Sequence, residues 1–241
     1  MLRLVKEAAI RFLPDLVLQP LKRRHYARVL RSGDEEPEFA AIRPLIHPGD
    51  VVLDLGANIG VFTHFLSRII GPEGSVISLE PVPLTFHHLA ANSRHLANVN
   101  TVNAAVSDSE GTTEMQVPHY ESGGENFYEA SISARRKGCR SFTVRTTTVD
   151  SLCQGQAVRF IKCDVEGHEE AVIGGALQTI RRCRPAWMIE VSKPRVYDLM
   201  NSLGYEAYWF DGSELRSKTP SDHPINAFFL PNPTLTCAPE A

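Results

Sequence analysis

The chain has 241 residues, of which 43% are hydrophobic and 22% charged. This is the composition of a folded globular protein with a sizeable core, and it excludes a disordered chain. A net charge of −3 excludes the strongly basic surface on which nucleic-acid binding depends. The five cysteines are odd in number and lack metal-ligand or redox spacing, which indicates a reducing, cytoplasmic setting.

Residues 1–40 are predicted to form a helical extension to a main domain at 41–241. Apolar side chains recur at helical spacing in "MLRLVKEAAIRFLP", but charged residues interrupt them, so this segment is too short and too polar to cross a membrane. The basic stretch "LKRRHYARVLR" follows it. We interpret the extension as packing on the domain or on a second copy in a homodimer, with a weak membrane-surface contact as the alternative.

Strands and helices alternate along the main domain, beginning with the apolar strand "DVVLDLGAN" and the helix "GVFTHFLSRII". Further strands are predicted at "GSVISLEP", "VNTVNAAVSD", "VRFIKCDVEG" and "PAWMIEVS", and one continuous helix at "HEEAVIGGALQTIRR". Two late strands, "YEAYWFD" and "NAFFLPN", lack a helix between them. The pattern predicts an α/β domain with a mostly parallel seven-stranded sheet, helices on both faces and an antiparallel edge pair.

Residues 110–150 break the alternation and are predicted to form an insertion that carries substrate contacts. Two strand-like runs enclose a long polar loop, and loops of this length in compact domains are usually functional or disordered. Asn126, Phe127, Tyr128 and Ser131 could bind a polyol, since amides and hydroxyls donate hydrogen bonds and aromatic rings stack on sugars. The basic run at 135–140 fits an anionic acceptor and a solvated loop equally well.

A glycine-rich turn at the end of the first strand predicts a nucleoside-cofactor site. The turn brings together Asp54, Gly56, Ala57, Asn58 and Gly60. Glycine lets the backbone turn sharply and approach a ligand closely, and ligands of parallel sheets bind beyond the carboxyl ends of the strands. Glu80 ends the second strand, where an acid can accept hydrogen bonds from both hydroxyls of a ribose.

The details of this turn favour S-adenosylmethionine over NAD. The dinucleotide fingerprint needs a glycine where this chain has Asn58, because the backbone there must approach a pyrophosphate. Asp54 would repel a pyrophosphate but suits the ammonium group of an amino acid.

Several blocks in order resemble the FkbM family of S-adenosylmethionine-dependent methyltransferases. They are "PGDVVLDLGANIGVFT", "SLEPVP", "NAAVSDSEG", "TTTVDSL" and "IKCDVEGHEEAVIGGA". The resemblance implies a class I Rossmann-like methyltransferase fold and methyl transfer, most often to a hydroxyl of a sugar or specialised metabolite. It also implies cofactor contacts from the glycine turn, from Glu80, from Val106 and Asp108 at the adenine end, and from Asp164 beside the methionine portion.

Three carboxylates are the catalytic candidates. Asp164 and Glu166 follow one predicted parallel strand and Glu190 ends the next, so all three are expected at the same edge of the sheet. Like charges held together raise the pKa of one of them, which suits a base that accepts the proton of a hydroxyl. The three could alternatively bind Mg²⁺, which prefers oxygen ligands, and the sequence leaves this open.

The neighbouring residues His168, Glu169 and Glu170 are interpreted mainly as the start of a helix, where acids complement the helix dipole. The predicted function is O-methylation of a small-molecule or glycan acceptor. The alternatives are N-methylation of an amine or protein, a non-catalytic cofactor-binding module and a dehydrogenase.

Overall fold

The computed structural model describes residues 36–117, 131–132, 139–222 and 224–233. The helical extension at 1–40 lies almost entirely outside these ranges, and so do Asn126, Phe127 and Tyr128. Their predicted roles in packing, membrane contact and substrate binding therefore stay predictions. Among the described helices, none combines the length and the apolar character needed to cross a membrane.

Eleven strands occur in the described ranges. They are β1 (Val51–Leu55), β2 (Ser75–Leu79), β3 (Val99–Val102), β4 (Ala105–Val106), β5 (Gly111–Val117), β6 (Arg140–Thr147), β7 (Val158–Cys163), β8 (Ala186–Glu190), β9 (Tyr205–Phe210), β10 (Leu215–Ser217) and β11 (Asn226–Pro231). The helices are α1 (Glu38–Ile42), α2 (Val61–Ile70), α3 (Pro83–Ser93), α4 (Val149–Cys153), α5 (Glu169–Gly174), α6 (Leu177–Cys183) and α7 (Arg195–Ser202), with a 3₁₀ turn at Arg43–Leu45.

The central sheet has eight strands in the order β10-β9-β11-β8-β7-β1-β2-β3. The strands β3, β2, β1, β7 and β8 pair with one another in the parallel orientation. The pairs β8 with β11, β11 with β9 and β9 with β10 are antiparallel. The α/β class is confirmed, and so is the antiparallel pairing of β9 with β11. The predicted strand number and edge pair are corrected, because the short polar strand β10 adds a third antiparallel strand that has no hydrophobic pattern to predict it.

Helices cover both faces of this sheet, as predicted, because both faces are apolar. Along β1, Leu53 and Leu55 belong to one buried cluster and Val52 to another, as the alternation of side chains in a strand requires. Helices α5, α6 and α7 pack on the first cluster, and α1 and α2 pack on the second. With both faces covered, the carboxyl ends of the parallel strands are left as the edge where a ligand can bind.

The strands β4, β5 and β6 form a separate three-stranded sheet in the order β4-β6-β5. The predicted strand "VNTVNAAVSD" is therefore corrected to two strands, β3 in the central sheet and β4 in the small one. Buried Met115, Val117 and Val144 of the small sheet pack against Val82 and Ala105. The described strands β5 and β6 of the insertion predicted at 110–150 therefore have an apolar cluster of their own.

The single helix predicted over "HEEAVIGGALQTIRR" is corrected to two short helices, α5 and α6. They are interrupted next to Gly175, where a Cβ atom would overlap the backbone carbonyl of Ser107. Only glycine permits so close an approach of two backbones. The backbone of Ser107 thus lies against the end of α5, and its hydroxyl lies 2.9 Å from Nε2 of His168 at the start of the same helix.

Candidate active site

A pocket opens at the carboxyl ends of β1, β2 and β7 and is closed on one side by the small sheet. The lining residues come from the glycine turn, the ends of β2 and β4, the small sheet and the segment after β7. They are Gly56, Asn58, Leu79, Glu80, Pro81, Val82, Ala104, Ala105, Val106, Met115, Ile132, Asp164, Val165, Glu166 and His168. The sequence-predicted turn, ribose acid and acidic junction therefore meet in one cavity.

The glycine turn is tied firmly to the end of β2. The backbone N–H groups of Gly56 and Ala57 both donate to the carbonyl oxygen of Leu79, at 3.0 and 2.8 Å. Gly56, Asn58 and Gly60 have φ angles of 74°, 50° and 99°, a left-handed region that favours glycine and tolerates asparagine. The turn needs its two glycines to follow this path into α2.

Glu80 lies in the pocket wall with both carboxylate oxygens engaged by the backbone. One oxygen accepts from the N–H of Asn58 at 3.0 Å and the other from the N–H of Val82 at 2.9 Å. Burial raises the pKa of Glu80 to about 7, although these two donors lower it. Each oxygen keeps a second lone pair, so the carboxylate can still accept from two ligand hydroxyls.

Asp54 lies behind the glycine turn and has no exposed surface. One of its oxygens accepts from the Thr63 hydroxyl at 2.6 Å, and the other lies 3.5 Å from Nζ of Lys162. Asp54 is thus beside the pocket and not on its wall, and direct contact with a ligand ammonium stays a prediction.

Asp164, Glu166 and Glu190 come together as predicted, with carboxylate oxygens that all lie within 4.8 Å of one another. The register explains this, because Cys163 of β7 pairs with Ile189 of β8 and sets Asp164 level with Glu190. Burial, together with the charges of Asp164 and Glu166, raises the pKa of Glu190 to about 7. This acid cluster, as we call the three residues, contains a carboxylate that exchanges protons near neutral pH.

Residues Ala105–Asp108 were predicted to contact the adenine end of the cofactor, and the structure places only some of them on the pocket wall. Val106 lines the pocket with Ala104, Ala105 and Met115, which makes an apolar slot suited to a flat base. Asp108 is exposed and accepts hydrogen bonds from the hydroxyls of its neighbours Ser107 and Ser109, at 3.3 and 3.0 Å. It is not part of the pocket wall, so its cofactor contact stays a prediction.

Residues 54–210 match the family model of the methyltransferase FkbM domain. This range contains the glycine turn, Glu80 and the whole acid cluster. The chain belongs to the FkbM methyltransferase family. The resemblance seen in the sequence is therefore confirmed.

A curated relative of this FkbM-family chain is the 31-O-demethyl-FK506 methyltransferase FkbM of Streptomyces tacrolimicus. The two are 42% identical over 71 residues, which is 29% of this chain and 27% of the relative. The match thus spans about a quarter of that protein's length.

Solved structures of methyltransferases are similar to the FkbM-family chain at low sequence identity. The methyltransferase FkbM of Methylobacillus flagellatus KT is 17% identical, with 80% of this chain and 50% of that chain covered and a TM-score of 0.49. Fibrillarin of Aeropyrum pernix with bound S-adenosyl-L-methionine is 15% identical, with coverage of 84% and 72% and a TM-score of 0.43. The O-methyltransferase TM0748 of Thermotoga maritima is 12% identical, with coverage of 85% and 66% and a TM-score of 0.44. These likenesses carry no further argument.

The sequence analysis of this FkbM-family chain gave no role to Lys162 and interpreted His168 and Glu169 mainly as the start of a helix. Lys162 is buried between Asp54 and the acid cluster. Glu169 was interpreted as a helix-dipole acid, yet it has no exposed surface and accepts from the N–H of Gly167 at 2.7 Å. His168 lines the pocket, where its Nε2 lies 2.9 Å from the Ser107 hydroxyl and burial lowers its pKa. The sequence feature that could have identified Lys162 is a lysine between the apolar residues Ile161 and Cys163 of the predicted strand "VRFIKC".

Gly56→Ala is expected to lower the free energy of unfolding by about 2–4 kcal/mol, because the new Cβ would overlap the Asp164 carbonyl oxygen at a strained φ. Gly155→Ala is the matched control, since Gly155 has a φ of 90° but no atom within 4 Å of the added Cβ. Urea unfolding of both variants measures the difference. Equal losses would show that the FkbM-family turn is not packed against the end of β7.

Proposed function

We propose that the protein is an S-adenosylmethionine-dependent O-methyltransferase that acts on a hydroxyl of a sugar, a glycan or a sugar-like specialised metabolite. The acid cluster carries this proposal, because one carboxylate oxygen from each of its three residues lies within 4.8 Å of the others, and Asp164 and Glu166 line the pocket. A hydroxyl is a poor nucleophile until its proton is removed, and one of these carboxylates has a pKa near neutrality.

The residues of the pocket fit S-adenosylmethionine. Glu80 supplies free lone pairs for ribose hydroxyls, and the apolar slot at Val106 and Met115 suits an adenine ring. At the glycine turn, Asn58 occupies a place where a pyrophosphate would need glycine. The negative charge of Asp164 and Glu166 on the wall favours a cationic ligand over a pyrophosphate.

When bound, S-adenosylmethionine supplies a methyl carbon activated by a positively charged sulfur. The chain supplies orientation and a proton acceptor. A hydroxyl held beside the acid cluster gives its proton to a Glu190 carboxylate oxygen. Because burial and the charges of Asp164 and Glu166 raise the pKa of Glu190 to about 7, this carboxylate suits the role of a base at neutral pH.

A short segment beside the small sheet also lines the pocket. Ile132 lies on the pocket wall and belongs to this segment. Ser131, one of the predicted polyol contacts, exchanges backbone hydrogen bonds with Gln116 at 2.8 and 3.0 Å. This pairing holds Ser131 against β5, and we propose that the long loop to which it belongs bounds the acceptor site.

Calorimetry with S-adenosylmethionine and with NAD tests the cofactor, and methyl transfer from labelled S-adenosylmethionine to a panel of polyols and amines tests the reaction. Binding of S-adenosylmethionine with transfer to a hydroxyl acceptor is expected. Binding of NAD alone would refute the proposal. Transfer to amines alone would favour the N-methyltransferase alternative, and cofactor binding without transfer to any acceptor would favour a binding module.

A bound Mg²⁺ ion is a second way of balancing the negative charge of the acid cluster, since the spacing of the carboxylate oxygens suits a cation with oxygen ligands. The ammonium of Lys162 already lies 3.3 Å from a carboxylate oxygen of Asp164, so positive charge is present without a metal. We therefore expect methyl transfer to change less than about twofold after dialysis against a chelator. Loss of activity that magnesium restores would contradict this expectation and assign a metal to the cluster.

A further inference from the structure

Lys162 is a buried cation in the middle of the central sheet. Only 3% of the residue is exposed, and its neighbours along β7 are the fully buried Ile161 and Cys163. Removing an ammonium from water is costly unless several partners compensate. Burial works to lower the pKa of Lys162, but attraction to Asp54 and Asp164 outweighs it, so the pKa lies above its ordinary value and the side chain stays charged.

Three oxygens surround the ammonium, and they belong to three different parts of the site. Nζ of Lys162 donates to the carbonyl oxygen of Gly56 at 2.9 Å and to a carboxylate oxygen of Asp164 at 3.3 Å. A carboxylate oxygen of Asp54 lies 3.5 Å away. An ammonium has three N–H donors, so the group can serve the glycine turn, the acid cluster and the buried acid together.

The strand register makes this arrangement specific. Lys162 stands directly beside Asp54, because the two are partners in the parallel pairing of β7 with β1. Their side chains therefore leave the sheet on the same face, below the turn that starts α2. From this place the four-carbon stem of lysine delivers one compact charge to the turn, whereas the wider planar guanidinium of arginine would need a different cavity.

We propose that Lys162 is a positioning residue of the methyl-transfer site, whose ammonium holds the Gly56 turn and the Asp164 carboxylate in a single relative arrangement. This inference rests on the proposed function. It means that the glycine turn and the acid cluster are joined through one side chain. The distance between a bound cofactor and the proton acceptor is thereby fixed.

A purely structural role is the competing explanation, in which Lys162 only balances the buried charge of Asp54. The two explanations predict different results once Asp54 is replaced by a neutral residue. Lys162→Met alone would leave the Asp54 carboxylate buried without a counter-charge, and the variant could fail to fold. Asp54→Asn followed by Lys162→Met removes both charges, and such neutral replacements of buried pairs are often tolerated.

The experiment compares D54N with D54N/K162M, after urea unfolding has shown that both variants fold cooperatively. The proposal predicts that adding K162M lowers kcat/KM for methyl transfer by about 100-fold and weakens S-adenosylmethionine binding by about tenfold, because turn and cluster lose their common anchor. Partial unfolding alone would lower kcat in proportion to the folded fraction and leave KM and the Kd of the folded molecules unchanged. Equal kcat/KM and equal Kd in the two variants would overturn the proposal.

Crystal structures of the two variants give the same comparison without turnover. A shift of the Gly56 carbonyl or the Asp164 carboxylate of about 1 Å on adding K162M supports the proposal, and unchanged positions overturn it. Failure of the proposed function looks different, because the wild-type protein itself would then bind no S-adenosylmethionine or transfer no methyl group to a hydroxyl.

Discussion

Glu190→Gln is expected to lower kcat for methyl transfer to a hydroxyl by about 10²- to 10⁴-fold, the usual contribution of a general base. The amide keeps the size of the side chain but accepts no proton. Calorimetry should show S-adenosylmethionine binding within about threefold of wild type, because Glu190 lies beyond the residues that line the nucleoside pocket.

Glu170→Gln is the matched control, because Glu170 follows Asp164 and Glu166 of the acid cluster in the chain but lies in the first turn of α5. Its kcat should equal that of wild type. A Glu190→Gln variant with near-normal kcat on a hydroxyl acceptor would remove Glu190 from the chemistry. Normal kcat on an amine acceptor, with loss on hydroxyls, would show that the base is needed only where a proton must leave.

The pH profile gives an independent test of the same base. Glu190 accepts a proton only when ionised, and its pKa is raised to about 7. With S-adenosylmethionine saturating at every pH, the kcat/KM of the wild type for the hydroxyl acceptor should therefore fall as the pH drops through about 7 and reach a plateau above it. In Glu190→Gln this acidic limb should be lost or displaced, since the group responsible is gone.

Glu80→Gln is expected to weaken S-adenosylmethionine binding by about 10- to 100-fold, the range for losing hydrogen bonds to a charged acceptor. The new amide would point its NH₂ group at the N–H of either Asn58 or Val82, both of which now donate to Glu80. The turn and the ribose contact are therefore disturbed together. Calorimetry measures the loss directly.

Glu73→Gln serves as the control for Glu80, because Glu73 is exposed in the loop before β2. Its Kd should match that of wild type. The wild-type Kd should also weaken as the pH falls through about 7, since a protonated Glu80 accepts fewer hydrogen bonds from a ribose. A Kd that is unchanged in Glu80→Gln would show that the acid does not hold the ribose.

Strand ends are the part of this site that the sequence predicts well. Glu80, Asp164 and Glu190 each follow a recognisable apolar run, and parallel strands carry their final residues to one edge. Three of the five family blocks lie on β1, β2 and β7 and the turns that follow them.

Residues whose role depends on register or on packing could not be predicted in this way. Lys162 lies beside Asp54 because of the register in which β7 pairs with β1. The sequence of one strand does not specify the register in which it pairs with another. Glu169 has the sequence of a helix start but is buried against Gly167. The break at Gly175 depends on the Ser107 backbone, which lies far away in the chain.

A crystal structure with S-adenosylhomocysteine tests the central claim most directly, namely that one pocket joins a nucleoside site to the acid cluster. The ribose should lie on Glu80, the adenine in the slot at Val106, and the sulfur on the side of Asp164, Glu166 and Glu190. Density for the ligand outside this pocket, or with its sulfur turned away from the three carboxylates, would contradict the account.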